Sequence, residues 1–417
     1  MKKSRDYYLR SSCRICKSRS LQSVIKLTPT PPGNAFVTKD QIHASEAVYP
    51  LELFFCNDCC HIQLGHVVDP KILYQRDYSY VTSTSQVFVK HFEMFCHQIV
   101  NAFKLDSSSF VMDIGSNDGT CLSFFRNKNM KVLGIDPATH IAESASANGI
   151  PTIPTFFSSK LAGEVVKEYG HADLITSHNV CAHIDDLDDL ISGVRCILKG
   201  DGIFIMEVGY FLDVYSNKWF DTIYHEHLDY HTVTPLPRLF DRFDMEIIKV
   251  ERIEPQGGSI RVIVQNSGGP HPVEDSVSSL ISIENSSGLQ KPGTLIKFQS
   301  DIDNIGKHLR EIIKEIKDQN KTIAAYGAPT KATTLTYHFG IENEDIAYIV
   351  DDNPLKQGLY SPGKHIPVFD SKLLYEDLPD FVLILAWNFA ESIIENHQEY
   401  LSRGGRFIVP MPHPTII

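Results

Sequence analysis

The chain has 417 residues, enough for two or three folded units, and 39 basic against 51 acidic side chains give it a net charge of −12. Its 42% hydrophobic and 22% charged residues are those of an ordinary globular protein, and the acidic balance excludes a general nucleic-acid binder, which needs a basic stripe to displace counterions. No apolar run is long enough for a membrane helix, and MKKSRDYYLRSSC has no apolar stretch of the kind a signal peptide carries, so no membrane partner and a cytoplasmic location are expected.

The first unit, residues 1–75, carries CRIC and CNDCC, two C-x-x-C pairs about 40 residues apart. In a cytosolic chain with 9 cysteines, an odd number, Cys13, Cys16, Cys56 and Cys59 read as metal ligands better than as disulfides, with reduced metal-free thiols as the alternative. Four thiolates suit tetrahedral zinc and leave no open position, so the metal is expected to be structural. Such a site supplies roughly 10–16 kcal/mol of folding free energy in zinc-finger peptides. Cys60 and His61 are spare candidate ligands.

The second unit, residues 76–275, alternates strand and helix. SFVMDIG, KVLGID, ADLITSHNV and GIFIMEV read as buried strands, separated by helical stretches from Asp118, at HIAESASANG and after Asp185. That order implies a parallel sheet covered on both faces. MEIIKVERIEP and SIRVIVQNS flank QGG and read as an antiparallel hairpin closing the sheet, a plan typical of Rossmann-like methyltransferases. The third unit, residues 276–417, opens with helical runs. The clearest is DIDNIGKHLREIIKEIKDQN, with Ile302, Ile305, Leu309, Ile312, Ile313 and Ile316 at helical spacing. TIAAYGA, IAYIVDD, DFVLILAW and GGRFIVP then give a second α/β fold.

VMDIGSNDGT has only Gly115 and Gly119, not the three glycines of a dinucleotide loop, and Asp113 and Asp118 would repel a pyrophosphate. An acidic loop with Asn117 suits a cationic ligand bearing a free amino group, which describes S-adenosylmethionine (SAM). Asp136, ending the next strand, is placed to accept both ribose hydroxyls. Phe156 and Phe157 follow the third strand, where an adenine can stack, or they are two core aromatics. Asn179 and His183 follow the fourth strand and should face the cofactor or substrate, because ligands bind at carboxyl strand ends. In YGAPTKATT a single glycine argues against a second dinucleotide site; Lys331, or Trp387 and Asn388, are candidates to hold a substrate diphosphate or base.

YHEHLDYH, residues 224–231, follows the fifth strand on the same sheet edge. A metal reading would use His225, Glu226, His227 and His231, but the His-Glu-x-x-His spacing of a zincin helix is absent. An acid/base site is the better reading.

The chain resembles the sugar C-methyltransferases that act at C-3 of nucleotide-linked 4-keto-deoxysugars. The resemblance runs over essentially the full length, through the cysteine pairs, YSYVTSTS, DIGSNDGT, NVCAHI, YHEH, GGSIRV, YGAPTKA, AWN and GGRFIVP. It implies a small zinc-binding domain, a class I SAM-methyltransferase Rossmann-like core, and a C-terminal Rossmann-like domain closing over the nucleotide-sugar. It also carries catalytic roles onto Tyr224, Glu226 and His227 and onto Tyr78 or Tyr80. Two departures are Cys60, where glycine is common, and Gln256, where some members have histidine.

The implied chemistry is an enolate. The C-4 ketone acidifies the C-3 hydrogen, and a base within hydrogen-bond reach, titrating near neutrality, removes it. His227 is the expected base, Tyr224 the donor to the developing oxyanion, and Glu226 the orienter of an imidazole or the partner of a sugar hydroxyl. A second reading is SAM-dependent O- or N-methylation of a small molecule. Oligomeric state has no signature in the sequence.

Overall fold

The computed structural model describes residues 6–74, 81–254 and 257–417. Its centre is a seven-stranded sheet. Across the sheet the strands run Met245–Ile253, Ser259–Asn266, Leu198–Gly209, Ala172–His178, Phe110–Ile114, Lys131–Ile135 and Thr152–Ile153. Ser259–Asn266 is antiparallel to both neighbours, and the other pairings are parallel. This is the α/β methyltransferase sheet with its closing hairpin, as the sequence predicts. The order reverses about Phe110–Ile114, so a crevice opens at the carboxyl ends of that strand and of Ala172–His178.

Local sequence explains the helices around it. Ser85 caps helix Gln86–Phe103 by accepting from the Phe88 N–H, and Phe92, Phe95, Cys96 and Ile99 form its buried stripe. Asp186 accepts from the Asp188 and Asp189 N–H groups and so starts helix Leu187–Ile197 next to the crevice. Glu207, buried at the end of its strand, accepts from Arg261 Nε at 2.6 Å and His91 Nε2 at 2.7 Å. It also bonds His178 Nδ1 at 2.9 Å. That ionic cluster fastens helix Gln86–Phe103 across the sheet.

The C-terminal sheet runs Val368–Phe369, Ile349–Val350, Ile323–Tyr326, Phe381–Ile384, Arg406–Val409 and Thr415–Ile416, with only the last pairing antiparallel. Its order also reverses, about Ile323–Tyr326, and the loop from Gly327 to Lys331 leaves at that point.

The N-terminal module holds a four-stranded sheet in the order Asp229–Tyr230, Ile62–Leu64, Tyr49–Cys56 and Leu21–Thr30. Its edge strand comes from the middle of the chain, within YHEHLDYH. Strand Leu21–Thr30 also packs against helix Pro292–Asp318, where Lys26 N donates to Gln299 Oε1 at 2.7 Å. One hydrophobic core consequently runs through all three units. Among the described residues no helix is long and apolar enough to cross a membrane.

Candidate active site

The four thiols expected to bind zinc converge. Their sulfurs all lie within 4.8 Å of one another, with Cys13 Sγ 3.5 Å from Cys59 Sγ and Cys16 Sγ 3.5 Å from Cys56 Sγ. Zinc–thiolate bonds of about 2.3 Å put tetrahedral sulfurs about 3.8 Å apart, so the set fits the ion. The two knuckles share one geometry. Lys17 N donates to the Cys13 carbonyl and Cys60 N to that of Cys56, and both residues are left-handed, with φ of 63° and 64°. That conformation favours glycine, and Cys60 adopts it with a side chain. Cys60 and His61 are not ligands: Cys60 points at the Gln290 carbonyl and His61 Nε2 pairs with Asp229 Oδ1 at 2.6 Å.

A cleft of about 1940 Å³ runs from the methyltransferase sheet to the C-terminal sheet. Single-ligand pockets occupy about 300–1,000 Å³, so this one has room for two substrates side by side. Its end at the methyltransferase sheet is lined by Gly115, Asn117, Asp136, Phe156, Phe157, Asn179 and His183. Gly115 turns at φ 74°, and a Cβ there would lie 2.2 Å from Val180, so only glycine lets the two loops close. Asp136 accepts from the Asn117 N–H at 2.9 Å and the Ala138 N–H at 2.8 Å, which fixes its carboxylate at the cleft wall; burial raises its pKa. A fixed carboxylate, a glycine turn and two aromatics fit a nucleoside with free ribose hydroxyls.

Asp113, Asp118 and Gly119 are not on the cleft wall. Asp113 is buried behind the loop, accepting from Thr176 Oγ1 at 2.8 Å, and burial pushes its pKa up to about 6. Asp118 accepts from Thr120 Oγ1 at 2.6 Å and from the Ser83 N–H at 3.0 Å. Gly119 is the left-handed cap of helix Thr120–Arg126. The acidity expected to meet a cationic ligand is spent on the loop's own scaffold.

Also on the cleft wall, His227 Nδ1 lies 2.8 Å from the Thr222 carbonyl and Nε2 lies 2.8 Å from the Tyr224 hydroxyl. A carbonyl only accepts, so Nδ1 carries the proton and Nε2 presents its lone pair to the phenol. Burial pushes the His227 pKa down to about 4, against the favourable Thr222 carbonyl, so the ring is neutral at pH 7. His183, 5.1 Å from His227 ring to ring, is pushed down to about 3 by burial and by the His227 charge. Glu226 is buried, its Oε2 has no hydrogen-bond partner among the described residues, and burial pushes its pKa up to about 7. It does not orient His227; the Thr222 carbonyl does.

The other histidines of YHEHLDYH diverge, which removes the metal reading. His225 Nε2 donates to the Tyr49 carbonyl at 3.2 Å, and His231 is buried with its ring 6.0 Å from that of His61. Among the described residues the cysteine cluster is the only metal-type grouping. Tyr78, Tyr80 and Gln256 lie outside the described residues. Sequence reasoning missed Tyr74, which stacks on His183 at 6.0 Å and donates to the Glu226 carbonyl at 3.3 Å. It stands just before the YSYVTSTS motif, with no pattern of its own to mark it.

At the far end Lys331 Nζ donates to Asn388 Oδ1 at 2.7 Å and sits 3.6 Å from the Trp387 ring centroid. Trp387 packs on Trp219 at 5.1 Å and donates to the buried Asp221 at 2.7 Å. Burial pushes the Lys331 pKa down to about 8, opposed by Asp221.

The chain is similar to known proteins over nearly its whole length. A family model described as a C-methyltransferase C-terminal domain matches residues 254–412. A methyltransferase domain matches 88–250, and a zinc-binding domain matches 13–74. The C-methyltransferase NovU of Streptomyces niveus is 33% identical over 405 residues, 97% of this chain and 96% of the relative. Among solved structures, the PH0226 protein of Pyrococcus horikoshii OT3 overlaps 45% of this chain and 95% of its own (TM-score 0.37, 13% identity). An S-adenosylmethionine-dependent methyltransferase of Clostridium acetobutylicum overlaps 43% and 92% (TM-score 0.36, 16% identity). These overlaps are too slight to carry an argument. The NovU identity spans all three units, and with it the acceptor atom becomes carbon in place of oxygen or nitrogen: the chain belongs to the SAM-dependent C-methyltransferases.

Proposed function

We propose that this enzyme adds a methyl group to C-3 of a nucleotide-linked 4-keto-6-deoxysugar, dTDP-, GDP- or CDP-linked, through an enolate, in the making of a branched-chain deoxysugar. The reading assigns zinc to residues 1–75, SAM to 76–275 and the nucleotide-sugar to 276–417. The observation that carries it is the His227 tautomer: a neutral imidazole with its lone pair turned to a phenol. Carbon is a poor nucleophile until it is deprotonated. A base and an oxyanion donor 2.8 Å apart are what removal of a proton beside a ketone needs.

In the proposed sequence the sugar's C-4 ketone lies by Tyr224, and the phenol turns from Nε2 to the ketone oxygen. Nε2 then takes the C-3 proton. The C–H electron pair becomes the enolate double bond, and the carbonyl pair moves to the oxygen that Tyr224 holds. SAM, when bound, would supply an electrophilic methyl group: the enolate pair at C-3 would form the new C–C bond as the ketone re-forms, and the S–CH3 pair would stay on sulfur, which leaves as the neutral thioether S-adenosylhomocysteine. The imidazolium passes its proton to solvent through the cleft. Gly115, Asn117, Asp136, Phe156, Phe157, Asn179 and His183 hold the cofactor's nucleoside and methionine in register, and Lys331 with Asn388 holds the sugar's diphosphate.

A second assignment keeps the reaction but moves the base. Glu226 has an Oε2 without a hydrogen-bond partner among the described residues and a pKa of about 7, closer to neutrality than His227 at about 4. The test for the reaction is to offer SAM with a panel of nucleotide-4-keto-6-deoxysugars in deuterium oxide. Methylated product and deuterium at C-3 of unreacted sugar are expected. No exchange and no SAM consumption with any member would overturn the proposal.

A further inference from the structure

The residues of YHEHLDYH beyond the reacting groups lead away from the cleft, toward the cysteines. Asp229–Tyr230 forms the edge strand of the zinc module's sheet, with Asp229 opposite Gln63 and Tyr230 opposite Ile62. Leu64 N donates to the Leu228 carbonyl at 2.8 Å, and Leu228 N donates to the Ala182 carbonyl at 2.7 Å. The residue after the expected base is therefore bonded on one side to the zinc module and on the other to the loop that carries His183.

Arg14 sits where these loops meet. It is the residue after Cys13 in the first knuckle, and it is fully buried. Its NH1 group donates to the Leu64 carbonyl at 2.8 Å and the Leu228 carbonyl at 3.2 Å, and its Nε donates to Asp185 Oδ1 at 2.9 Å. Asp229 Oδ2 lies 3.9 Å from Nε, and the Arg14 N–H donates to Gln63 Oε1 at 2.8 Å. One planar fork thus grips both loops of the reaction end, at Asp185, two residues past His183, and at Leu228, one past His227. Its backbone is held by the knuckle. A lysine at this position would have a single ammonium and could not span both loops in that geometry.

We infer that Arg14 is a positioning residue through which the zinc knuckle sets the loops of His183 and His227. Zinc then has a role beyond stapling the N-terminal module, because the knuckle that it closes fixes where the arginine fork stands. The kinetic side of this inference rests on the base assigned above; the geometric side does not.

The test uses the full-length zinc-loaded protein with Arg14→Met, Arg14→Lys and Asp185→Asn. Zinc content, by metal analysis, should stay near wild type in all three, and SAM affinity, by calorimetry, should weaken only a few-fold, through His183. Nitrogen-15 spectra of labelled histidine should show His227 losing its single tautomer in Arg14→Met, without any substrate present. Turnover should fall about 100-fold, the scale of a misplacement of about 1 Å, far more than any change in KM for SAM. Arg14→Lys should recover part of both signals. Asp185→Asn, which loosens one arm only, should disturb His183 more than His227. If Arg14→Met does not fold, the other two variants decide. An unchanged His227 spectrum and turnover in both overturns the inference, as does loss of zinc and SAM binding in step with turnover. A disturbed spectrum with normal turnover would instead remove His227 as the base and leave the positioning intact.

Discussion

The carbonyl of Thr222 lies 2.8 Å from Nδ1 of His227 and so determines which nitrogen of that ring is basic. Catalytic imidazoles are often oriented by a carboxylate. In the proposed base His227 a main-chain oxygen does so, and Glu226 keeps a buried oxygen without a hydrogen-bond partner among the described residues. The tautomer needs no charged neighbour, which matches a ring held neutral by burial.

His227→Asn removes the lone pair and keeps a polar side chain of similar reach. Turnover and deuterium wash-in at C-3 should both fall by ~10²–10⁴-fold. SAM affinity by calorimetry should not change, because His227 lies at the reaction end of the cleft. Full turnover in this variant would sink the assignment of the base.

Tyr224→Phe removes the donor to the enolate oxygen and also frees Nε2. A loss of about 10²–10³-fold in kcat is expected, the scale of one oxyanion donor. KM for the sugar should move much less, since the bond is made chiefly in the transition state. A variant that mainly raised KM would place Tyr224 in substrate binding alone.

Glu226 gives a pH signature in stability. Its folded pKa of about 7 stands above the ordinary 4.5, so the folded state holds the proton more tightly than the unfolded one. The stability it contributes is full below pH 4.5 and is lost as pH rises through 7. Glu226→Gln should therefore raise the melting temperature at pH 8 more than at pH 5. In kinetics, the same variant should erase an inflection near pH 7 only if the carboxylate is the base.

Asp136→Asn replaces a carboxylate oxygen that accepts a backbone N–H with an amide that cannot accept on both sides. SAM affinity should weaken ~10–100-fold, as for a hydrogen bond to a charged group. The sugar's affinity should hold, because Asp136 lies at the other end of the cleft.

Lys331→Met should raise KM for the nucleotide-sugar ~10–100-fold and leave SAM affinity intact. In the wild type KM for the sugar should climb as pH rises through about 8, where Lys331 loses its charge. A flat KM between pH 7 and 9 in both proteins would refute a diphosphate contact there.

Much of this protein was legible in the chain itself. Strand and helix periodicities, the hairpin around the QGG turn and the spacing of the cysteines depend on neighbours in sequence, and they sufficed for the methyltransferase sheet, the second α/β unit and the four sulfurs of the zinc cluster. The loop aspartates were not legible in the same way. Asp113 and Asp118 read as the acidity of a glycine loop and Asp136 as a ribose acid at the next strand end, yet of the three only Asp136 lines the cleft. The others meet Thr176, Thr120 and Ser83, and residues 176 and 83 are remote in sequence. Tyr74, Thr222 and Arg14 likewise carry no motif, because what distinguishes each is a partner brought in by folding. Within YHEHLDYH, composition marked the segment as chemical but left its histidines equivalent. Strand pairing with Ile62–Leu64 separates them, turning His225 toward Tyr49 while His227 stays on the cleft wall. That division follows from burial and directed hydrogen bonds, which act between residues the chain keeps far apart and only the folded molecule brings together.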